Sequence, residues 1–319
     1  MSLENQMNPV SDDRKLSPKE IRELKRQSPR AKMRRRRIVC AVLALILLLL
    51  AVVPAYRLVY QPYQAKSVYR YMKTLYTMPG SGAMPKEYNP QLGALYDVNP
   101  DIGGWLIVPG SNINLPVVQT VAHDSVYYVN HLFDGTANPY GTPYFSTDCT
   151  LGQYGHNTVL RGGEKLMGEL TGYRTLSYYQ NAPLLFMDGI NDTVIYKIFA
   201  IVDVNDIEIS TIAKGQYDTP AEFHQFVTQM GNRSLINTGI MVEQQDSLLT
   251  VLCDTEKGKL AIIGRAVREG EDYTVDTSKA TLNNGQNNVA DWTVTATDWV
   301  TKTDVTATDV TAINRVNVQ

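Results

Sequence analysis

The chain has 319 residues, 44% of them hydrophobic, and a formal net charge of −2, which is enough for one large domain or two small ones. The near-neutral total conceals a strongly basic start, so the remainder is acidic, and that argues against nucleic acid as a partner of the folded part. Three cysteines make no disulfide framework, and no Cys/His cluster has metal-ligand spacing, so neither metal nor cofactor is expected.

Residues 1–37 are polar and close on Arg34, Arg35, Arg36 and Arg37, which reads as a basic cytoplasmic tail. Residues 38–56 follow as an almost unbroken run of Ile, Val, Leu and Ala. With its flanks the run approaches the roughly 20 residues that span a bilayer. The arginines on its N-terminal side place the N-terminus in the cytoplasm and the rest of the chain outside. Pro54, Ala55 and Tyr56 make a poor cleavage site, so the segment is expected to stay as a single-pass anchor in the cell membrane.

Residues 57–100 read as juxtamembrane helices and linker. Tyr63, Tyr69, Tyr71 and Tyr76 alternate with Lys66, Arg70 and Lys73 in a stretch that suits a helix over 62–77. A loop rich in Pro and Gly follows over 79–90, then a short helix over 91–98 that stops near Pro100.

From Asp101 the pattern becomes strand, Pro109-Gly110 turn, strand, with Trp105 on the first strand and Pro116, Val117, Val118 and Gln119 on the second. Tyr127 and Tyr128, Phe133, Gly135, Gly141 and Phe145 come next. Over roughly 62–269 these blocks resemble the class B sortases. The resemblance implies a mainly β fold: a closed eight-stranded β-barrel with peripheral helices over 101–269, preceded by one transmembrane helix. Apolar runs at 183–186 and 193–202 are expected strands, and Met167, Leu170 and Tyr173 recur at helical spacing. Thr219 followed by Pro220 is a helix start, with Phe223, Phe226, Val227 and Met230 on one face. Residues 270–319, dominated by Thr, Asp, Val and Asn, are expected to be a low-complexity, disordered tail.

The decisive stretch is the apolar, β-branched run 248–252, which delivers Cys253 to the end of a strand, with a second strand over 259–267. Cys40 lies in the apolar segment, so at most Cys149 could pair with Cys253. By itself a free Cys is more often an inert buried thiol.

The family resemblance implies a cysteine transpeptidase, a hydrolase or thiol protease of the Gram-positive cell wall. Its thiolate attacks a sorting-signal peptide of a secreted protein, and the thioester passes to a peptidoglycan or pilin amine. That chemistry needs an ionised thiol, an imidazole that moves protons, and a cationic donor for the oxyanion. Here Cys253 is the expected nucleophile. His156 follows Tyr154 and Gly155 as the family His does, but the strand that should precede the His, Asn157 to Arg161, comes after it. Anchored on that strand, the family His position holds Gly163. His156 then lies a whole strand away, about 15 Å or more; a shifted strand would instead bring it to Cys253 as the general acid/base.

Lys259 stands where the family Arg opens the last strand; it keeps the charge but lacks the planar fork. Arg265, six residues on, would sit about 20 Å toward the other end. His123, His131 and His224 have no motif context and read as surface or packing residues. The two readings are therefore an impaired class B transpeptidase and a non-catalytic pseudosortase that binds sorting-signal-like peptides or scaffolds another sortase.

Overall fold

The computed structural model describes residues 17–19, 22–23, 29–119, 126–146, 155–204, 209–285 and 292–294. His123 and Cys149 lie outside the described residues, as does nearly all of the Thr/Asp-rich tail beyond 285. The chain divides into two units, Met1–Tyr60 and Gln61–Gln319. In the first, the helix Pro29–Ala55 leads into a π-helical turn at Tyr56–Tyr60. Among the described residues this is the one helix long and apolar enough to cross a membrane, and its apolar side chains are exposed.

In the second unit eight strands close a barrel: β1 (Ile102–Ile107), β2 (Asn114–Val118), β3 (Tyr144–Phe145), β4 (Asn157–Gly162), β5 (Leu184–Gly189), β6 (Thr193–Asp203), β8 (Leu248–Thr255) and β9 (Gly258–Ala266), in the order β1-β2-β3-β4-β8-β9-β6-β5. The closed eight-stranded barrel expected from the resemblance is thus present. A small extra pair joins β7 (Ile236–Asn237) to β10 (Thr281–Leu282).

β8 reads as a continuous apolar run because both its faces are covered. Leu249, Val251 and Cys253 belong to the cluster that fills the barrel with Trp105, Leu160 and Ile262. Leu248 and Leu252 belong to an outer cluster with Phe223, Phe226, Val227 and Met230. Those four residues come from the helix Pro220–Arg233, which Thr219 caps by accepting the Glu222 N–H at 3.3 Å. Residues 168–174, expected to continue a helix, form a 3₁₀ segment after the short helix Glu164–Met167.

The helix Gln61–Leu75 buries Ala65, Tyr69 and Met72. Tyr69 Oη donates to the Gly141 carbonyl and lies 3.0 Å from Thr142 Oγ1. Asn138 Nδ2 donates to the Gln61 carbonyl and to Gln64 Oε1, both at 3.1 Å. The helix therefore holds the loop 128–142, which matters for the site below.

At the end of the barrel opposite Cys253, residues beyond 269 are part of the domain, contrary to the expected start of a disordered tail. Glu271 accepts from Lys197 Nζ at 2.7 Å, from the Arg265 guanidinium and from the Arg268 N–H at 3.0 Å. Lys197 and Arg265 are almost fully buried, at 6% and 3% exposure. Burial acts to raise the Glu271 carboxyl pKa, but hydrogen bonds from Arg265, the Arg268 backbone and Lys197 outweigh it and hold the group well below the usual carboxylate range.

Glu271→Gln would leave buried Lys197 without its carboxylate partner and buried Arg265 with only Asp246, 3.9 Å away. It should cost about 2–3 kcal/mol, below the range for a fully buried pair because Glu271 keeps part of its surface in water. Because the folded pKa is depressed, this stabilisation is present above the unfolded carboxyl value of about 4.3 and is lost as pH falls below it. Urea denaturation of both proteins at neutral pH and below pH 4 checks this. The gap between them should shrink in acid.

Candidate active site

Parallel pairing of β4 with β8 builds the site. Asn157 lies opposite Leu248 and Gly162 opposite Cys253. Alternation along the strands then sorts the side chains onto two faces. Gly162 and Cys253 face the barrel interior, whereas Arg161, Gly163, Leu252 and Asp254 face outward. The outward face is the floor of an open cavity of about 430 Å³, walled by Tyr128, Tyr140 and Tyr144 on one side and by Glu164, Lys165 and Ile209 on the other.

The thiol is on the opposite face from this cavity and is fully buried. Its S–H donates to the Met167 carbonyl at 3.3 Å and the Asp254 carbonyl at 3.1 Å. Met167 fits beside it because Gly162 has no side chain; a Cβ there would overlap Met167 Sδ. Burial pushes the Cys253 pKa up to about 12, and the carboxylates of Asp254 and Glu164 add to the rise, against smaller opposing effects of Arg174 and Lys259. The thiolate, the form that acts as nucleophile, is therefore strongly disfavoured at neutral pH. Cys253 is a free thiol.

The other expected site residues are not gathered around it. His156 precedes Gly162 by six positions, about 20 Å of strand, and its carbonyl accepts the Leu248 N–H at the far end of β8. His131 stacks on Tyr127 and His224 packs edge-on against Trp292. Lys259 does lie by the cavity, opposite Asp254 in the hairpin, and its ammonium is paired with the Asp254 carboxylate. Arg265 pairs with Leu248 across β8 and β9 and is committed to Glu271.

Gly163, extended at φ −81° and ψ 155°, opens onto empty space: a Cβ there would meet no atom within 4 Å. Two residues carry charge here that sequence reasoning missed. Arg174 is held by Asp203 at 2.6 Å and donates to Thr255 Oγ1 at 3.2 Å. Arg161 lies on the cavity floor. The available signal was an arginine inside an otherwise apolar strand.

No family model matches the chain. Among curated proteins it is 25% identical over 167 residues to Sortase B of Staphylococcus aureus and 24% identical over 195 residues to Sortase B of Listeria monocytogenes. The matches cover 51% and 57% of this chain; they span 66% of the first relative, just under two thirds, and 76% of the second. In fold it matches a Staphylococcus aureus sortase B–substrate complex with a TM-score of 0.57 at 20% identity, covering 66% of this chain and 99% of that one. Sortase B from B. anthracis in complex with AAEK1 matches with a TM-score of 0.56, also at 20% identity, over 65% and 97% of the two chains.

The chain is thus similar in sequence and in fold to the class B sortases. This sortase-like barrel keeps a cysteine at the end of β8, but its thiol is turned away from the outer cavity. No imidazole lines that cavity among the described residues.

Two variants test this packing. Gly163→His should fold with its melting temperature nearly unchanged, since the site is open and the backbone ordinary. Gly162→Ala should cost about 1–3 kcal/mol by overpacking against Met167. Differential scanning fluorimetry reads both, and an unchanged Gly162→Ala would contradict the placement of Met167. A second test is alkylation. With iodoacetamide at pH 7, followed by peptide mapping, Cys253 in the folded chain should react roughly a thousandfold or more slowly than after denaturation.

Proposed function

We propose that this chain is a membrane-anchored pseudosortase whose outer cavity holds an extended, sorting-signal-like peptide without cleaving it. The observation that carries the reading is the state of Cys253: buried, hydrogen-bonded as a donor and pushed toward the neutral form. Cleavage would need a thiolate aimed at the peptide carbonyl, an acid to protonate the leaving amine and a free cation at the oxyanion. Among the described residues none of these roles has an occupant. The thiol faces the core, Gly163 stands on the cavity floor where the resemblance expects the His, and Lys259 is spent on Asp254. Losing one member of such a catalytic unit can cost nearly as much as losing all of it.

On this reading the helix over 38–56 anchors the chain in the cell membrane, with Arg34 to Arg37 on the cytoplasmic side and the barrel outside. Binding needs only the groove, so a peptide remains the natural partner. An amine from peptidoglycan or a pilin would matter only after a thioester had formed. A non-catalytic barrel of this kind could present a bound signal to a working sortase.

The test uses the full chain in detergent with a degenerate library of sorting-signal-like peptides, read by mass spectrometry beside Cys253→Ala. The expected result is peptide retention that is equal for both proteins, with no cleavage product and no acyl adduct on Cys253. A product or adduct from the unmutated chain alone would make it a working transpeptidase.

A further inference from the structure

The cavity floor carries a cation with no structural duty. Arg161 is half-buried next to the C-terminal end of β4, opposite Leu252 in β8 and Tyr144 in β3. Its Nε is sealed from water and has no hydrogen-bond partner, and among the described residues no ion pair holds the guanidinium. An Nε–H sealed from water without an acceptor is costly, because that donor has lost its hydration and gained no partner. The other charges of the cavity do not meet it. Asp254 is paired with Lys259, and Lys165 lies over the Tyr140 ring, 5.5 Å from its centroid. With Arg161, Lys165 and Lys259 set against Glu164 and Asp254, the lining carries a net excess of one positive charge. Val129 and Ile209, both exposed, give the cavity an apolar rim.

From this arrangement we propose that the groove reads a carboxylate on its peptide, which Arg161 binds through its planar fork while the apolar rim and the tyrosines hold the flanking residues. A carboxylate accepts two parallel N–H bonds from a guanidinium, which a neutral carbonyl cannot do. The carboxylate belongs either to an acidic side chain or to a free peptide C-terminus. The inference rests on the peptide-holding reading above and narrows it to a ligand class.

Three pools of fluorescent octapeptides, degenerate elsewhere, separate the cases: one with a fixed central Glu and both ends capped, one with Gln in its place and both ends capped, and one with Gln and a free C-terminal carboxylate. Each is titrated by anisotropy against the unmutated full chain in detergent, Arg161→Gln and Arg161→Lys. The unmutated chain should bind one of the two carboxylate pools about tenfold more tightly than the capped Gln pool, as expected for a charge-assisted bond. In Arg161→Gln the carboxylate pools should bind no more tightly than the capped Gln pool. Arg161→Lys should keep part of it. Whichever carboxylate pool is preferred identifies the source.

Equal binding of all three pools, or a preference that survives Arg161→Gln, would overturn the carboxylate inference and leave the peptide groove standing. Failure of every pool to bind would overturn both. The thermal stability of Arg161→Gln should not fall below that of the unmutated chain, since the variant removes an unsatisfied buried Nε–H and no bond that folding depends on.

Discussion

The parallel pairing of β4 with β8 is the constraint on which the rest of the site depends. Once Gly162 stands opposite Cys253, strand alternation leaves little choice. Gly162 and Cys253 turn inward and share the space that Met167 fills. Arg161, Gly163, Leu252 and Asp254 turn outward and make a floor. The one strand pair thereby separates a thiol kept dry and neutral from a surface that is open and charged. Desolvation disfavours the Cys253 thiolate more strongly than either neighbouring cation favours it.

Much of this was legible in sequence, and the reasons differ by element. The β8–β9 hairpin announced itself through two β-branched runs separated by polar residues. Thr219 and Pro220 marked a helix start that the Thr219 cap realises. The displacement of His156 could be read because Asn157 to Arg161 is a distinct strand whose position relative to Gly163 does not depend on tertiary contacts.

The direction of the thiol could not be read. In β8 both faces are buried, so the run has no apolar-polar alternation to say which face is the barrel interior. The 3₁₀ segment 168–174 was hidden because Met167, Leu170 and Tyr173 would suit either kind of helix, and the choice falls to packing. Arg161 passed unremarked because a single charge in an apolar run says nothing about what it faces. Residues just past 269 looked like the start of a polar tail because their stabilisation comes from Glu271 meeting Lys197 and Arg265, partners distant in sequence or buried in the sheet.

The charges of the folded unit are divided in the same way. At the far end of the barrel Lys197, Arg265, Arg268 and Glu271, with Asp246 at 2.8 Å from Arg268, form a network that closes on itself and fastens the chain after β9. Arg265, the arginine that lies on the same strand as the family's catalytic position, is part of that fastening. Near Cys253 the cations are likewise occupied, Lys259 by Asp254 and Arg174 by Asp203. Arg161 differs in having its guanidinium uncommitted.

The hydrogen bonds from Tyr69 to Gly141 and Thr142, and from Asn138 to Gln61 and Gln64, have a consequence for any shed form of the protein. The loop they secure is one wall of the groove, and the helix that secures it lies immediately after the apolar segment in the chain. Proteolysis in the linker 76–90 would release a barrel that still has all its strands but has lost the support of that wall. A barrel separated from that helix would therefore keep its strand order but lose the hydrogen bonds that hold this wall of the cavity in place.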